Sequence, residues 1–115
     1  MIATSYKYFI SCCRRYKNSK EKIDSAIYLD PRNQVCQHAA KKIRKELSLV
    51  DDTICLISKK DAVFAELLWQ KLVEGRSFYR MEQNQILKLS PRQLIRRYPE
   101  RSWEDMYNAI LTQSV

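Results

Sequence analysis

Apolar residues recur at Ile2, Tyr6, Phe9, Ile10, Cys13 and Tyr16, in steps of four, three, one, three and three. That spacing lines one face of an α-helix. Arg14, Arg15 and Lys17 follow near its end, where the helix dipole favours cations. Helical register continues from Lys20 to Leu29 through Ile23, Ala26 and Ile27. Asp30-Pro31 reads as an N-cap followed by proline at the first helical position. The helix it opens carries Val35, Ala39, Ala40, Ile43 and Leu47 on one side and Lys41, Lys42, Arg44 and Lys45 on the other. Val50, Ile54 and Ile57 extend the helical spacing. Thr53 to Ile57 also suits a short strand, but no neighbouring segment offers it a partner, and helix is the favoured reading.

In the second half, Ser58-Lys59-Lys60-Asp61 resembles a capping box with aspartate in the acidic place. It precedes Val63, Phe64, Leu67, Leu68 and Leu72 at helical spacing, with Trp69 at their flank. Gly75 falls where a left-handed C-cap belongs. Ser77 is placed to cap a short helix through Met81 and Gln85. Ser90-Pro91-Arg92-Gln93 combines a serine cap, proline in the first turn and glutamine three residues after the cap. Pro99 ends that helix near Tyr98. A last capping box over Ser102–Asp105 opens an amphipathic helix with Trp103, Met106, Tyr107, Ile110 and Leu111. Its Trp103, Met106, Tyr107 and Ile110 offer a candidate homodimer surface, since aromatic residues are enriched in interfaces.

Composition agrees with this pattern. One glycine and three prolines in 115 residues are too few for the many tight turns of a β-rich fold. The expectation is a single all-α domain of 1–115, with a helical scaffold over 1–57 and a helix-turn-helix-like unit over 59–111. Four cysteines include the adjacent pair Cys12-Cys13, which does not suit a disulfide framework. Together with an N-terminus lacking a secretory pattern, they imply reduced thiols and a cytoplasmic setting. No apolar run has the length of a membrane span.

The net charge of +8 draws the chain toward polyanions. The helix opened by Ser90 divides into Pro91, Leu94, Ile95 and Tyr98 on one side and Arg92, Gln93, Arg96 and Arg97 on the other. Arginine suits guanine edges and glutamine suits adenine edges in the major groove. Two short helices joined tightly and packed on a third are the ingredients of a helix-turn-helix.

Leu72-Val73-Glu74-Gly75-Arg76-Ser77, Leu89-Ser90-Pro91-Arg92 and Arg96-Arg97-Tyr98 resemble the helix-turn-helix of sigma-factor region 4. The likeness is greatest to the small sigma-like transcriptional regulators of phages and mobile elements. It covers the C-terminal part only. The connection from Ser77 to Ser90 is longer than in that family, Glu82 stands in place of a small alanine, and Pro99 ends the second helix early. The resemblance implies double-stranded DNA as partner, RNA polymerase as a candidate protein partner, Ser90 as cap, and Arg92, Gln93, Arg96 and Arg97 as DNA contacts.

The function expected from residues and resemblance together is sequence-specific DNA binding in transcriptional control. Arg92 and Gln93 would read bases, while Lys41, Lys42, Arg44, Lys45, Arg96 and Arg97 would supply electrostatic attraction. The alternative is an all-helical protein-interaction module, an adaptor or inhibitor whose basic face meets an acidic protein.

No enzyme active site or cofactor motif is expected. His38 is the sole histidine and has no recognisable nucleophile partner. Cys36 and His38, with Cys12 and Cys13, have poor spacing for zinc: residues two apart on a helix diverge. Cys12-Cys13 beside Arg14-Arg15 has the composition of a lipidated basic anchor, but the favoured reading is a first helix whose apolar side packs inward, with no membrane partner.

Overall fold

The computed structural model describes residues 4–25 and 30–113. Among them the regular elements are all helical. Helix α1 spans Tyr6–Ile23, α2 Gln34–Lys60, and α3 Ala62–Leu68, which runs on as a π-helical turn over Trp69–Val73. A 3-10 turn at Phe78–Arg80, helix α4 over Pro91–Arg97, a second 3-10 turn at Glu100–Ser102 and helix α5 over Trp103–Gln113 complete the order.

Ser5 caps α1 by accepting the Tyr8 N–H at 3.2 Å. The apolar stripe then turns inward as its period requires: Phe9, Cys12, Cys13 and Tyr16 are buried. Helix α1 ends at Ile23 with Asp24 as its C-cap, and the expected positions Ile2, Ala26, Ile27 and Leu29 lie outside the described residues. Asp30-Pro31 does not open the next helix. It forms a turn in which Asp30 Oδ1 accepts the Arg32 N–H at 3.0 Å. Asn33 is the N-cap of α2, accepting from Cys36 N at 3.1 Å. Val35, expected to face inward, is 81% exposed, because this first turn stands beyond the end of α1.

Helix α2 is continuous for 27 residues and includes Thr53 to Ile57, as the choice of helix over strand anticipated. It also runs through Ser58, so the division expected there falls inside a helix. The break comes at Asp61, whose extended backbone (φ −151°, ψ 93°) and side chain, accepting the Phe64 N–H at 3.0 Å, cap α3 directly. Helices α1 and α2 lie antiparallel: Thr4 shares a groove with Leu56, while Arg15 reaches back to Glu46 at 3.2 Å. Tyr16 Oη donates to Asp51 at 2.8 Å across the same seam.

The π turn has a cause in the sequence. Continuing the α period from Leu67 would bring Lys71 onto the buried side. A π turn joins residues five apart, and so pairs Leu67 with Leu72 and Leu68 with Val73, which is buried. The Glu74 N–H then donates to Trp69 O at 3.0 Å. Gly75 closes the helix at φ +70°, a left-handed conformation that glycine adopts without penalty. No atom lies within 4 Å of where a Cβ would stand, so glycine is required here by the backbone alone.

One core joins all the helices. Phe64 packs edge-on to Trp103 (6.0 Å between ring centres) and parallel to Tyr98 (6.0 Å), and Phe9 stacks on Tyr107 at 5.1 Å. Trp103 and Tyr107 are 2% and 0% exposed. The final helix therefore spends these two residues inside the chain and does not present the dimer surface that its sequence suggested. Only Met106 and Ile110 of that set keep partial exposure.

Candidate nucleic-acid interface

The helix expected from Ser77 through Met81 to Gln85 is not formed. Its place is taken by the 3-10 turn Phe78–Arg80 and an irregular run to Ser90. Side chains satisfy the backbone of this run in a way that competes with helix. Gln70, 1% exposed, donates from Nε2 to Glu82 O at 3.0 Å and accepts from Glu82 N at 2.7 Å. Its amide thus pairs with one residue of the run as a neighbouring strand would. Asn84 Oδ1 accepts the N–H groups of Ile86 and Leu87 at 2.8 and 2.9 Å. Leu87 then drops into the core at 1% exposure. The C-terminal half is helical, but α4 has no preceding helix of a helix-turn-helix.

Helix α4 forms as its local signals dictate. Ser90 Oγ accepts from Gln93 N at 3.3 Å, and Gln93 Oε1 accepts from Ser90 N at 2.9 Å. This reciprocal box covers two of the otherwise unpaired N–H groups at the helix start. Leu94 is the anchor, at 2% exposure. At the other end Tyr98 is held twice. Its hydroxyl donates to the Asp61 carboxylate at 3.1 Å, and its carbonyl accepts the Trp103 indole N–H at 2.7 Å. Burial, reinforced by the Asp61 charge and hydrogen bond, pushes the Tyr98 phenol up to about 12, so at neutral pH it stays a donor.

Arg92, Gln93, Arg96 and Arg97 are all exposed. At 100° per residue they span one side of the helix, opposite Leu94. No ion pair engages the three arginines among the described residues. Glu100, the nearest carboxylate in sequence, is taken by Lys71 at 3.0 Å. Gln93 differs from them. Its amide oxygen is committed to the cap, and a two-bond reading of adenine needs both oxygen and nitrogen.

Lys41, Lys42, Arg44 and Lys45 lie on the N-terminal half of α2, all four exposed. They do not join the α4 arginines. Tyr98 is tied to Asp61, just past the other end of α2. At 1.5 Å of rise per residue, Asp61 lies roughly 24 Å along the helix from Lys45. There are two basic surfaces, one on each element. Gln70, Asp61 and Asn84, which position α4, were not among the sequence candidates. An uncharged polar residue directly after the apolar run Leu67-Leu68-Trp69 is the signal that could have found Gln70.

No three His, Cys, Asp or Glu side chains converge as a metal site among the described residues. No helix among them is long and apolar enough to cross a membrane. Cys12 and Cys13 are buried, and burial pushes the Cys13 thiol up to about 12. A thiol reagent should modify the exposed Cys55 rapidly in the native protein and Cys12 and Cys13 only on unfolding, since the thiolate is the reacting form. Mass spectrometry over a labelling time course checks this; rapid native labelling at position 12 or 13 would contradict the packing. Comparison of the chain with protein-family models, curated proteins and solved structures finds no match.

Proposed function

We propose that the protein binds double-stranded DNA through α4 and acts as a sequence-reading regulator of transcription. The observation that carries this reading is the exposure of Arg92, Arg96 and Arg97 on one side of a rigidly held helix, with no carboxylate neutralising them among the described residues. Free guanidinium groups on one convex face suit guanine edges and backbone phosphates. Arg92, in the first turn, is assigned to base reading; Arg96 and Arg97, in the last, to phosphates. Gln93 serves the cap. Because the run 81–90 directly before α4 is not helical, the capping box and the Tyr98 ties set its orientation.

Binding to a mixed duplex pool across a salt series tests the proposal. Wild-type protein should bind in a salt-sensitive manner and enrich a sequence. Arg96→Ala/Arg97→Ala should lower affinity on the order of 100-fold and flatten the plot of log affinity against log salt by about 0.9 for each phosphate that is no longer neutralised. Arg92→Ala should instead relax the enriched sequence. Absence of binding at low salt would overturn the reading.

A further inference from the structure

The second basic surface borders a different kind of site. Along one side of α2, from Lys41 to Leu56, runs an open trough of about 460 Å³, closed at its far end by Thr4 and Leu111. Its floor is apolar, made by Leu49, Leu56, Leu111 and the buried Thr53. Its near rim carries Lys41, Arg44 and Lys45, none of them ion-paired among the described residues. Asp52 lies further along, beside the apolar part.

We infer that this trough is the docking site for an amphipathic helix of an acidic partner protein. Three features fix the occupant. From Lys41 to Leu56 the trough follows α2 for about 22 Å, roughly four turns of a second helix laid alongside. The apolar floor then meets anchors spaced i, i+3/i+4 and i+7, as in helix-in-groove recognition. The uncompensated cations sit at one end only, so the partner carries Glu or Asp over Lys41, Arg44 and Lys45. About two turns further on, the distance from Lys45 to Asp52, a single Lys or Arg of the partner answers Asp52.

Other occupants fit less well. A nucleic-acid backbone is anionic along its whole length and gains nothing from a leucine floor or from Asp52. A second copy of this chain brings a further +8 of charge against the same rim. The inference does not depend on DNA binding by α4.

The test uses the full chain and a labelled 18-residue synthetic helix with leucines at i, i+4, i+7 and i+11. It carries glutamates flanking the first two leucines and one lysine opposite Asp52. Fluorescence anisotropy should show saturable binding at micromolar concentration. Lys41→Glu/Lys45→Glu should weaken it by at least about tenfold, as expected when complementary charges become like charges. NMR shift changes should fall on Leu49, Leu56 and Leu111. A peptide of the same composition with its amphipathic order scrambled should not bind.

No saturable binding overturns the inference. So does equal binding of the scrambled peptide, or indifference to Lys41→Glu/Lys45→Glu. Loss of peptide binding in Arg96→Ala/Arg97→Ala would place the contact on α4 and overturn it too. Shift changes at Leu49 and Leu56 on adding duplex DNA instead of peptide would assign the trough to nucleic acid.

Discussion

Phe64→Ala is expected to destabilise the protein by about 3–5 kcal/mol, more than truncation of a partly exposed side chain would. Phe64 is fully buried and touches the two rings that fix the C-terminal third, Tyr98 and Trp103. Tyr98 ends α4 and Trp103 begins α5, so the vacated volume opens where three helices meet and cannot be closed by one side chain moving. Phe64→Leu keeps most of the volume and should cost less than half as much. Urea unfolding with a common slope for both variants checks this. A loss under about 1 kcal/mol for the alanine variant would mean that these three rings are not packed as described.

Gln70→Leu should cost about 2–4 kcal/mol, and in a different way. The side chain makes hydrogen bonds to the Glu82 N–H and carbonyl and to the Glu66 carboxylate, at 2.7–3.0 Å. Leucine of similar size fills the space but leaves the Glu82 N–H and carbonyl without their partner, while Glu66 keeps the Asn84 amide; a stranded polar group costs about 1–3 kcal/mol where water cannot reach it. The loss should be local first. Amide hydrogen exchange in residues 81–89 should accelerate well before that of α1 or α2. A uniform change over the whole chain would argue against a clamp. Because the clamp also fixes the approach to α4, the variant should weaken duplex binding even though no arginine has changed.

Most of the helices were legible from spacing and punctuation. The inward stripe of α1, the helical rather than extended Thr53–Ile57, Gly75 at a helix end and the Ser90–Gln93 box all rest on interactions within a turn or two of chain. Sequence carries such local terms directly. The errors have a common origin in tertiary contacts. Ser77 is well placed to start a helix, yet Glu82 finds its backbone partner in Gln70, twelve residues away in sequence. The capping box expected to end at Asp61 has its serine, Ser58, inside the last turn of α2. The capping role of Asp61 itself shows only once α2 is seen to continue through Ser58.

The candidate site was legible in part. Arg92, Arg96 and Arg97 stand exposed on one side of α4 as expected. The separation of Lys41, Lys42, Arg44 and Lys45 from them was hidden, because it depends on how far α2 carries the chain before α3 turns back. The assignment of Gln93 to base reading overlooked that its amide oxygen serves the helix it sits on.

The wide turn at Trp69–Val73 brings Leu72 and Val73 round to the core in place of Lys71, and in doing so it also sorts charge at a distance. Displaced from the buried face, Lys71 emerges partly exposed, lies 5.7 Å from the centre of the Phe78 ring and holds Glu100. Glu100 stands only three residues beyond Arg97 and would otherwise be the natural counter-ion for the end of α4. A defect in one helix thus works as electrostatic insulation for another: by occupying this nearby carboxylate, it leaves the arginine face with its full positive potential directed at solvent.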